Sequence, residues 1–199
     1  MCEDKYEFDR EKEMLLEYLD WAKEFKFFIY FSTISIQDSS LRNLYYIKHK
    51  LAMEALVLAH KHPYVIRLGQ VASKNKGNPN NLLNFLSNAI KSGEKTEIWS
   101  NSYRNIIDIE NIAPIVSRLI IEYPINKNFI NVANPISNSI QEIINALEDV
   151  MEEKGYFSYI HRGEKYHVDV DIMMSRINNT NVKFDDGYLR RILKKYYST

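Results

Sequence analysis

Tyr46 and Lys50 are the two residues of this sequence whose types and spacing best suit acid/base chemistry. They lie four positions apart in a segment that predicts a helix, so the phenol and the ammonium would be neighbours on one helix face. An unperturbed tyrosine has a pKa of about 10, and a nearby ammonium favours its phenolate form. The pair therefore predicts a tyrosine that transfers a proton at a carbinol oxygen.

A hydroxyl group is predicted beside this pair. Ser32 and Thr33 follow residues 26–31, an apolar and aromatic segment that is typical of a strand buried on both faces of a sheet. A hydroxyl that is held rigidly at a strand end can hydrogen-bond the same substrate oxygen as Tyr46. Thr33 is the first candidate for this role, and Ser32 is the alternative.

The Tyr-x-x-x-Lys spacing is a weak signal by itself, because the chain contains 14 tyrosines and many lysines. The same spacing occurs at Tyr123 and Lys127, where Pro124 keeps the segment off a helix. An ordinary tyrosine–lysine pair on a helix surface is therefore the competing interpretation of Tyr46 and Lys50.

Helices and strands alternate in the first third of the sequence. Apolar residues at helical spacing predict helices over 9–25 and 41–61, and short apolar segments predict strands over 26–31 and 64–68. This alternation is typical of a parallel sheet with helical crossovers. Further along the chain, the patterns predict helices over 82–91, 110–123, 137–153 and 185–197, and strands over 96–99, 105–109 and 129–132. Pro114 is expected in the first turn of its helix and Ser137 is expected to cap the next helix.

Composition and charge exclude several classes of protein. The chain has 199 residues, of which 45% are hydrophobic, so it can bury a core. Its formal net charge of zero gives no bulk field that would attract nucleic acid or an anionic membrane. No apolar run approaches the ~18 residues of a membrane span. The single cysteine, Cys2, cannot form an internal disulfide, which suits a reducing compartment, and we expect a cytoplasmic protein.

Basic residues and histidines in the sequence carry weaker hypotheses. The basic segment 190–195 is interpreted as a solvated helix face rather than a nucleic-acid site, given the zero net charge. The histidines at positions 60, 62, 161 and 167 lack carboxylate or cysteine partners at ligand spacing, so no metal site is predicted.

Five segments in order along the chain resemble a known family, the extended short-chain dehydrogenase/reductases that act on nucleotide sugars. Its members are epimerases, 4,6-dehydratases and 4-keto reductases. The matching segments are Phe31-Ser-Thr-Ile-Ser-Ile36, the Tyr46/Lys50 pair, Tyr64-Val-Ile-Arg-Leu-Gly-Gln-Val71, Arg104-Asn-Ile-Ile-Asp-Ile-Glu-Asn-Ile112, and Phe129-Ile-Asn-Val-Ala133 with the following Ser137 and Glu142. Because the segments keep the family's order, chance similarity is a poor explanation.

The resemblance implies a role for each matching residue. Thr33 would position the substrate oxygen, Tyr46 would be the acid/base, and Lys50 would tune Tyr46 and bind the ribose of NAD or NADP. Arg104 would contact the diphosphate of a nucleotide-diphosphate sugar, with a structural role as its alternative. Gln70, which stands where the family usually has asparagine, would also bind substrate.

The sequence departs from the family where the dinucleotide would bind. Its six glycines do not form the Gly-rich turn that holds a dinucleotide pyrophosphate at a helix N-terminus. We therefore expect an α/β fold that lacks the N-terminal cofactor-binding half of the family. Residues 1–75 would form a partial Rossmann-like parallel sheet with helical crossovers. Residues 76–199 would form a small C-terminal α/β substrate-binding subdomain, from which 105–133 return to the sheet.

Two functions remain open at this point. The chain is either an epimerase, dehydratase or reductase that needs a partner to complete its cofactor site, or a non-catalytic accessory protein that binds a partner or a nucleotide sugar. Under both hypotheses we expect a homodimer or heterodimer through helices 9–25 and 41–61, because these helices form the dimer interface in the family.

Overall fold

A computed structural model describes residues 5–25, 28–61, 63–74, 81–121 and 129–198. Their backbone forms seven α-helices, nine short strands and four 3-10 turns within these ranges. The predicted α/β class with parallel strands and helical crossovers is confirmed. The second Tyr-x-x-x-Lys pattern at 123–127 lies outside the described residues.

Three parallel strands form the sheet that positions the candidate site. β1 (Phe28–Thr33) pairs with β2 (Pro63–Leu68), which pairs in turn with β7 (Phe129–Val132). In this register Thr33 lies opposite Leu68, and Leu68 lies opposite Val132. Parallel strands place their carboxyl ends at one edge, so Thr33 reaches the edge at which such folds bind ligands.

The remaining strands form three pairs that extend the fold beyond the sheet. β3 (Gln70–Ala72) runs parallel to β6 (Ile106–Asp108), and β4 (Thr96–Trp99) runs parallel to β9 (Phe157–Ile160). β5 (Tyr103–Arg104) runs antiparallel to β8 (Asn138–Ser139). Arg104 therefore lies on a strand that pairs with a segment more than 30 residues further along the chain.

Two helices pack on one face of the sheet. α1 (Lys5–Trp21) and α2 (Tyr45–Leu58) share a small core with β1 and β2. Its buried members are Leu15, Tyr30, Met53, Val57 and Val65. This packing brings the first half of α1 next to the Lys50 turn of α2.

Five helices build the rest of the fold. α4 (Ile109–Ile121) and the short α6 (Asp171–Met174) pack near the sheet, in a core that includes Ile66 and Ile130. α3 (Leu82–Ser92), α5 (Ile140–Met151) and α7 (Tyr188–Tyr197) enclose a third core, with Leu86, Leu147 and Leu193 at its centre. None of the described helices is long and apolar enough to cross a membrane.

Several predicted boundaries were wrong for local reasons. The segment predicted as a helix over 41–61 becomes helical only at Tyr45. The residues before it form two 3-10 turns, Ile34–Gln37 and Ser39–Leu41, whose N-caps are Thr33 and Asp38. Pro114 lies in the second turn of α4 and not in the first. The cap of α5 is Ser139 rather than Ser137, since Ser139 and Glu142 form a capping box.

Candidate active site

Tyr46 and Thr33 meet at the carboxyl end of β1. Tyr46 lies in the first turn of α2, with its phenol close enough to the Thr33 hydroxyl for that hydroxyl to lower the Tyr46 pKa. Thr33 Oγ1 accepts the backbone N–H of Ser35 at 3.1 Å, which leaves its own proton free to be donated to the phenol oxygen. The arrangement presents two hydroxyl groups to one position, as a reaction at a carbinol oxygen requires.

The alternative hydroxyl, Ser32, occupies a different position. Successive side chains of a strand point to opposite faces, so Ser32 and Thr33 diverge. Ser32 is buried, and its Oγ has no hydrogen-bond partner among the described residues. Of the two hydroxyls, only Thr33 is brought to Tyr46.

Lys50 belongs to a network that joins α1, β1 and α2. Its ammonium donates to Glu11 Oε1 at 2.6 Å and to the Tyr30 hydroxyl at 3.2 Å. Tyr30 donates to the same Glu11 oxygen at 2.7 Å, and His49 Nε2 lies 2.9 Å from Glu11 Oε2. The Lys50 ammonium lies 6.0 Å from the centre of the Tyr46 ring. The helical spacing thus places Tyr46 and Lys50 on one face of α2, but the Lys50 ammonium is paired with the Glu11 carboxylate.

The pKa values in this network differ from the expected tuning. Burial raises the pKa of Tyr46, and the negative charge of Glu11 raises this pKa further. The Thr33 hydroxyl lowers the pKa of Tyr46, but the result remains above the usual tyrosine value. Burial raises the pKa of Glu11 too, but the hydrogen bond and charge of Lys50 outweigh burial and leave this pKa below normal. Burial is the largest cause of the raised Tyr46 pKa and the charge of Lys50 is not among its causes, so the predicted lowering by Lys50 is not seen in the ligand-free chain.

Burial also raises the pKa of Tyr30, and the hydrogen bond to Glu11 and the charge of Glu11 act in the same direction. Tyr30 therefore stays protonated and serves as a donor to Glu11. It is not a second candidate for acid/base chemistry.

Arg104 is also paired with a carboxylate. Its Nη1 lies 3.5 Å from Asp38 Oδ2 and donates to the Tyr103 carbonyl at 2.7 Å. Asp38 is 1% exposed and accepts the backbone N–H of Ser40 at 3.1 Å. Arg104 is thereby tied to the loop between Thr33 and Tyr46, and a ligand at Arg104 would meet an arginine whose charge is partly compensated.

Other polar contacts extend around Arg104. Glu164 Oε1 accepts the backbone N–H of Ser39 at 2.8 Å, a second bridge between the same loop and the C-terminal half. Gln70 lies next to Asn105, whose carbonyl accepts the Gln70 backbone N–H at 2.7 Å. The two residues assigned to substrate binding, Arg104 and Gln70, are thus neighbours on either side of Asn105.

The sequence analysis missed Glu11 and Asp38. Glu11 has a signal in the sequence, because it lies three residues after Phe8 and four before Leu15, so a carboxylate falls on the buried face of α1. Asp38 has the weaker signal of an acid followed by two serines, which is typical of a cap. Their partners are 39 and 66 residues away, which no local pattern indicates.

The basic segment near the C-terminus is used within the fold. Lys195 donates to Asp108 Oδ2 at 2.9 Å and lies 2.6 Å from Glu110 Oε2, while Arg191 pairs with Asp185 at 2.7 Å. No group of three or more potential metal ligands occurs within the described ranges.

Comparison with known proteins gives a likeness of fold. No family model matches the sequence, and no curated protein matches it. Among solved structures, UDP-glucuronic acid 4-epimerase from Bacillus cereus, in complex with UDP-glucuronic acid and NAD, superposes with a TM-score of 0.70 at 18% identity, covering 93% of this chain and 65% of the epimerase. dTDP-glucose 4,6-dehydratase from Bacillus anthracis, in complex with NAD, gives 0.70 at 12% identity, covering 91% and 66%.

A third structure agrees with these two. UDP-N-acetylglucosamine 4-epimerase from Methanobrevibacter ruminantium, in complex with UDP-N-acetylmuramic acid, gives a TM-score of 0.67 at 20% identity, covering 93% of this chain and 66% of that one. The chain has the Rossmann-like α/β fold of these sugar-nucleotide epimerases and dehydratases. It spans about two thirds of the length of the structures that it matches.

Proposed function

We propose that this chain is the catalytic and substrate-binding part of an NAD(P)-dependent enzyme that epimerises, dehydrates or reduces a nucleotide-diphosphate sugar. The observation that carries the proposal is the placement of the Thr33 hydroxyl beside the Tyr46 phenol at the carboxyl end of a parallel sheet, with Lys50 one helical turn away. The fold likeness to epimerases and dehydratases supports it.

Tyr46 and Thr33 divide the work at the sugar carbon. Thr33 donates a hydrogen bond to the sugar hydroxyl oxygen, and Tyr46, once ionised, accepts the proton of that hydroxyl. The bound dinucleotide would supply the hydride chemistry at the same carbon. In the reverse direction Tyr46 returns the proton to the carbonyl oxygen.

The residues present fit only one end of such a dinucleotide. Lys50 is an ammonium within reach of a ribose, and Tyr46 lies beside it. The Gly-rich turn that would hold the pyrophosphate does not occur in the 199 residues. The proposal therefore requires the pyrophosphate-binding part from outside these residues.

Arg104 and Gln70 would bind the nucleotide-diphosphate end of the substrate. A guanidinium suits a diphosphate because it donates two parallel hydrogen bonds. Arg104 lies at the end of β5, and its ion pair with Asp38 connects it to the loop between Thr33 and Tyr46. A diphosphate bound there would thus be coupled to the position of Thr33 and Tyr46.

Product analysis tests this proposal. The purified chain is incubated with a large excess of NAD, which offsets the weak binding expected without a pyrophosphate-binding part. UDP-glucose, UDP-glucuronic acid and dTDP-glucose are added in turn, and the sugars are examined by NMR. Epimerised, dehydrated or oxidised sugar supports the enzyme, and the carbon atoms that have changed identify the reaction. Unchanged sugar in every mixture contradicts the enzyme function proposed for this chain.

A non-catalytic accessory role is the second candidate, favoured by the compensated charges of the site. Lys50 is paired with Glu11 and Arg104 with Asp38, and the pKa of Tyr46 is raised by burial. Calorimetry separates the two candidates: the accessory role predicts binding of a UDP-sugar in the absence of turnover, and measurable turnover contradicts it.

The subunit arrangement is part of the proposal. Residues 1–75 would carry the acid/base site and 76–199 the substrate-binding subdomain, in a cytoplasmic protein.

A dimer through α1 and α2 is supported by large apolar side chains that these helices expose. They are Tyr6, Met14, Leu16, Tyr18, Trp21, Tyr45 and Leu51.

A further inference from the structure

Glu11 forms an ion pair with Lys50, the lysine that the proposed reaction needs. Of the three protons on the Lys50 ammonium, one is donated to Glu11 and one to Tyr30. A ribose that binds through both of its hydroxyl groups needs two donors, and only one is uncommitted. A bound ribose must therefore displace at least one of these contacts.

The same carboxylate weakens the field of Lys50 at Tyr46. The ammonium lies 2.6 Å from Glu11 but 6.0 Å from the centre of the Tyr46 ring, so the nearer negative charge cancels much of its effect on the phenol. Tyr30 and Tyr46 face this network with pKa values that burial raises, and Glu54, whose carboxylate pairs with Arg67 at 2.6 Å, lies near Tyr30. The groups around Lys50 hold its ammonium in place without activating Tyr46.

Glu11 is placed so that it can release the lysine. Its side chain is 32% exposed and lines an open cleft of about 540 Å³ between α1 and β1. Its second oxygen has a separate partner in His49, and Tyr30 donates to the first. Glu11 thus keeps two hydrogen bonds when Lys50 turns to another ligand.

We propose that Glu11 is a positioning residue that holds the Lys50 ammonium in the ligand-free chain and yields it to a bound ribose, so that Lys50 acts on Tyr46 only when the dinucleotide is present. This inference rests on the proposed function for its ribose step. The hold of Glu11 on Lys50, and its effect on Tyr46, can be measured without any ligand.

The first test is the ionisation of Tyr46, followed by NMR in protein labelled at the tyrosine Cζ carbon and assigned with Tyr46→Phe. Glu11→Gln is expected to ionise Tyr46 at a lower pH than wild type, whereas Glu11→Asp, which keeps the charge, should restore the wild-type titration. Glu7→Gln on the same helix, whose carboxylate pairs with Arg10, is the matched control and should titrate as wild type. An unchanged Tyr46 titration in Glu11→Gln overturns the proposal.

The second test is calorimetry with nicotinamide mononucleotide, which carries the ribose proposed to bind Lys50 and does not need the pyrophosphate-binding part. Glu11→Gln is expected to bind this mononucleotide about tenfold more tightly, since the ribose no longer competes with a charged acceptor. In a Lys50→Met background the Glu11→Gln change should have no effect, and equal tightening there overturns the proposal. Equal binding by wild type and Glu11→Gln also overturns it.

Discussion

Two carboxylates of this molecule, Glu11 and Asp108, each bind a lysine and a tyrosine but differ in how far they are buried. Asp108 accepts Lys195 at 2.9 Å and the Tyr196 hydroxyl at 2.6 Å, and Glu11 accepts Lys50 at 2.6 Å and the Tyr30 hydroxyl at 2.7 Å. The side chain of Asp108 is 10% exposed and that of Glu11 is 32% exposed. Both carboxylates line a cleft, of about 320 Å³ at Asp108 and about 540 Å³ at Glu11, so the two clusters differ in carboxylate burial rather than in the presence of a cleft.

The surroundings explain the difference. The Asp108 cluster adjoins the large core of α3, α5 and α7, and Lys195 has a second acid in Glu110. The Glu11 cluster lies over a small core, beside a cleft bordered by the exposed side chains of Met14, Tyr18 and Phe31. We infer that the Asp108 network stabilises the fold, whereas the Glu11 network can exchange partners.

The largest expected effect is on stability at Asp108. Asp108→Asn removes the carboxylate that accepts Lys195 and the Tyr196 hydroxyl, while Glu110 still pairs with Lys195, and we expect the change to lower the free energy of unfolding by about 2 kcal/mol. Urea denaturation followed by circular dichroism measures this loss. A change below about 1 kcal/mol would remove the distinction between the two clusters.

Acid should unfold the protein through these same carboxylates. For Asp108, burial raises the pKa, but hydrogen bonds from Tyr196, the Glu110 backbone and Lys195 outweigh it, so this pKa lies below normal in the folded state, as does that of Glu11. A depressed folded pKa stabilises the protein above the unfolded value of about 4, and the stabilisation is lost as the pH falls through the folded pKa. Denaturation midpoints between pH 7 and pH 3 measure it, and Asp108→Asn and Glu11→Gln should each flatten this dependence. A variant that keeps the wild-type slope would contradict the contribution of its carboxylate.

A smaller loss is expected at Glu11. Because its side chain is partly exposed, Glu11→Gln should cost about 1 kcal/mol or less in the same urea experiment. A loss as large as that of Asp108→Asn would mean that the Glu11 cluster is structural and does not exchange partners.

Changes on the exposed face of α1 should leave the stability of the subunit nearly unchanged and affect only its association. Leu16, which is 46% exposed, lies on the proposed dimer face, and Tyr159, which is 45% exposed on β9, lies away from it. Sedimentation is expected to show a dimer for wild type and Tyr159→Glu and a monomer for Leu16→Glu. A dimer in all three would place the interface elsewhere.

Sequence patterns predicted the parts of the site that local spacing controls. Helical spacing brought Tyr46 and Lys50 onto one face of α2, and the apolar segment before Thr33 placed that hydroxyl at a strand end. Both follow from backbone geometry within a few residues. The alternation of helices and strands predicted the parallel sheet for the same reason.

The charges that surround these residues could not be predicted in this way. Glu11 reaches Lys50, and Asp38 reaches Arg104, only after the helices and strands have packed. The activation of Tyr46 by Lys50 stays a prediction, because in the ligand-free chain burial raises the Tyr46 pKa and Glu11 pairs with the lysine. Spacing identifies which groups can meet, and packing decides which charges remain uncompensated.

Turnover by a single matched pair of variants tests the central claim most directly. Tyr46→Phe and Tyr45→Phe remove a hydroxyl from adjacent residues, and Tyr45 is 51% exposed. With NAD and the sugar nucleotide that wild type converts, Tyr46→Phe is expected to lose about 100-fold or more in kcat while Tyr45→Phe stays within about twofold. Equal turnover in Tyr46→Phe and wild type would contradict the assignment of Tyr46 as the acid/base of this site.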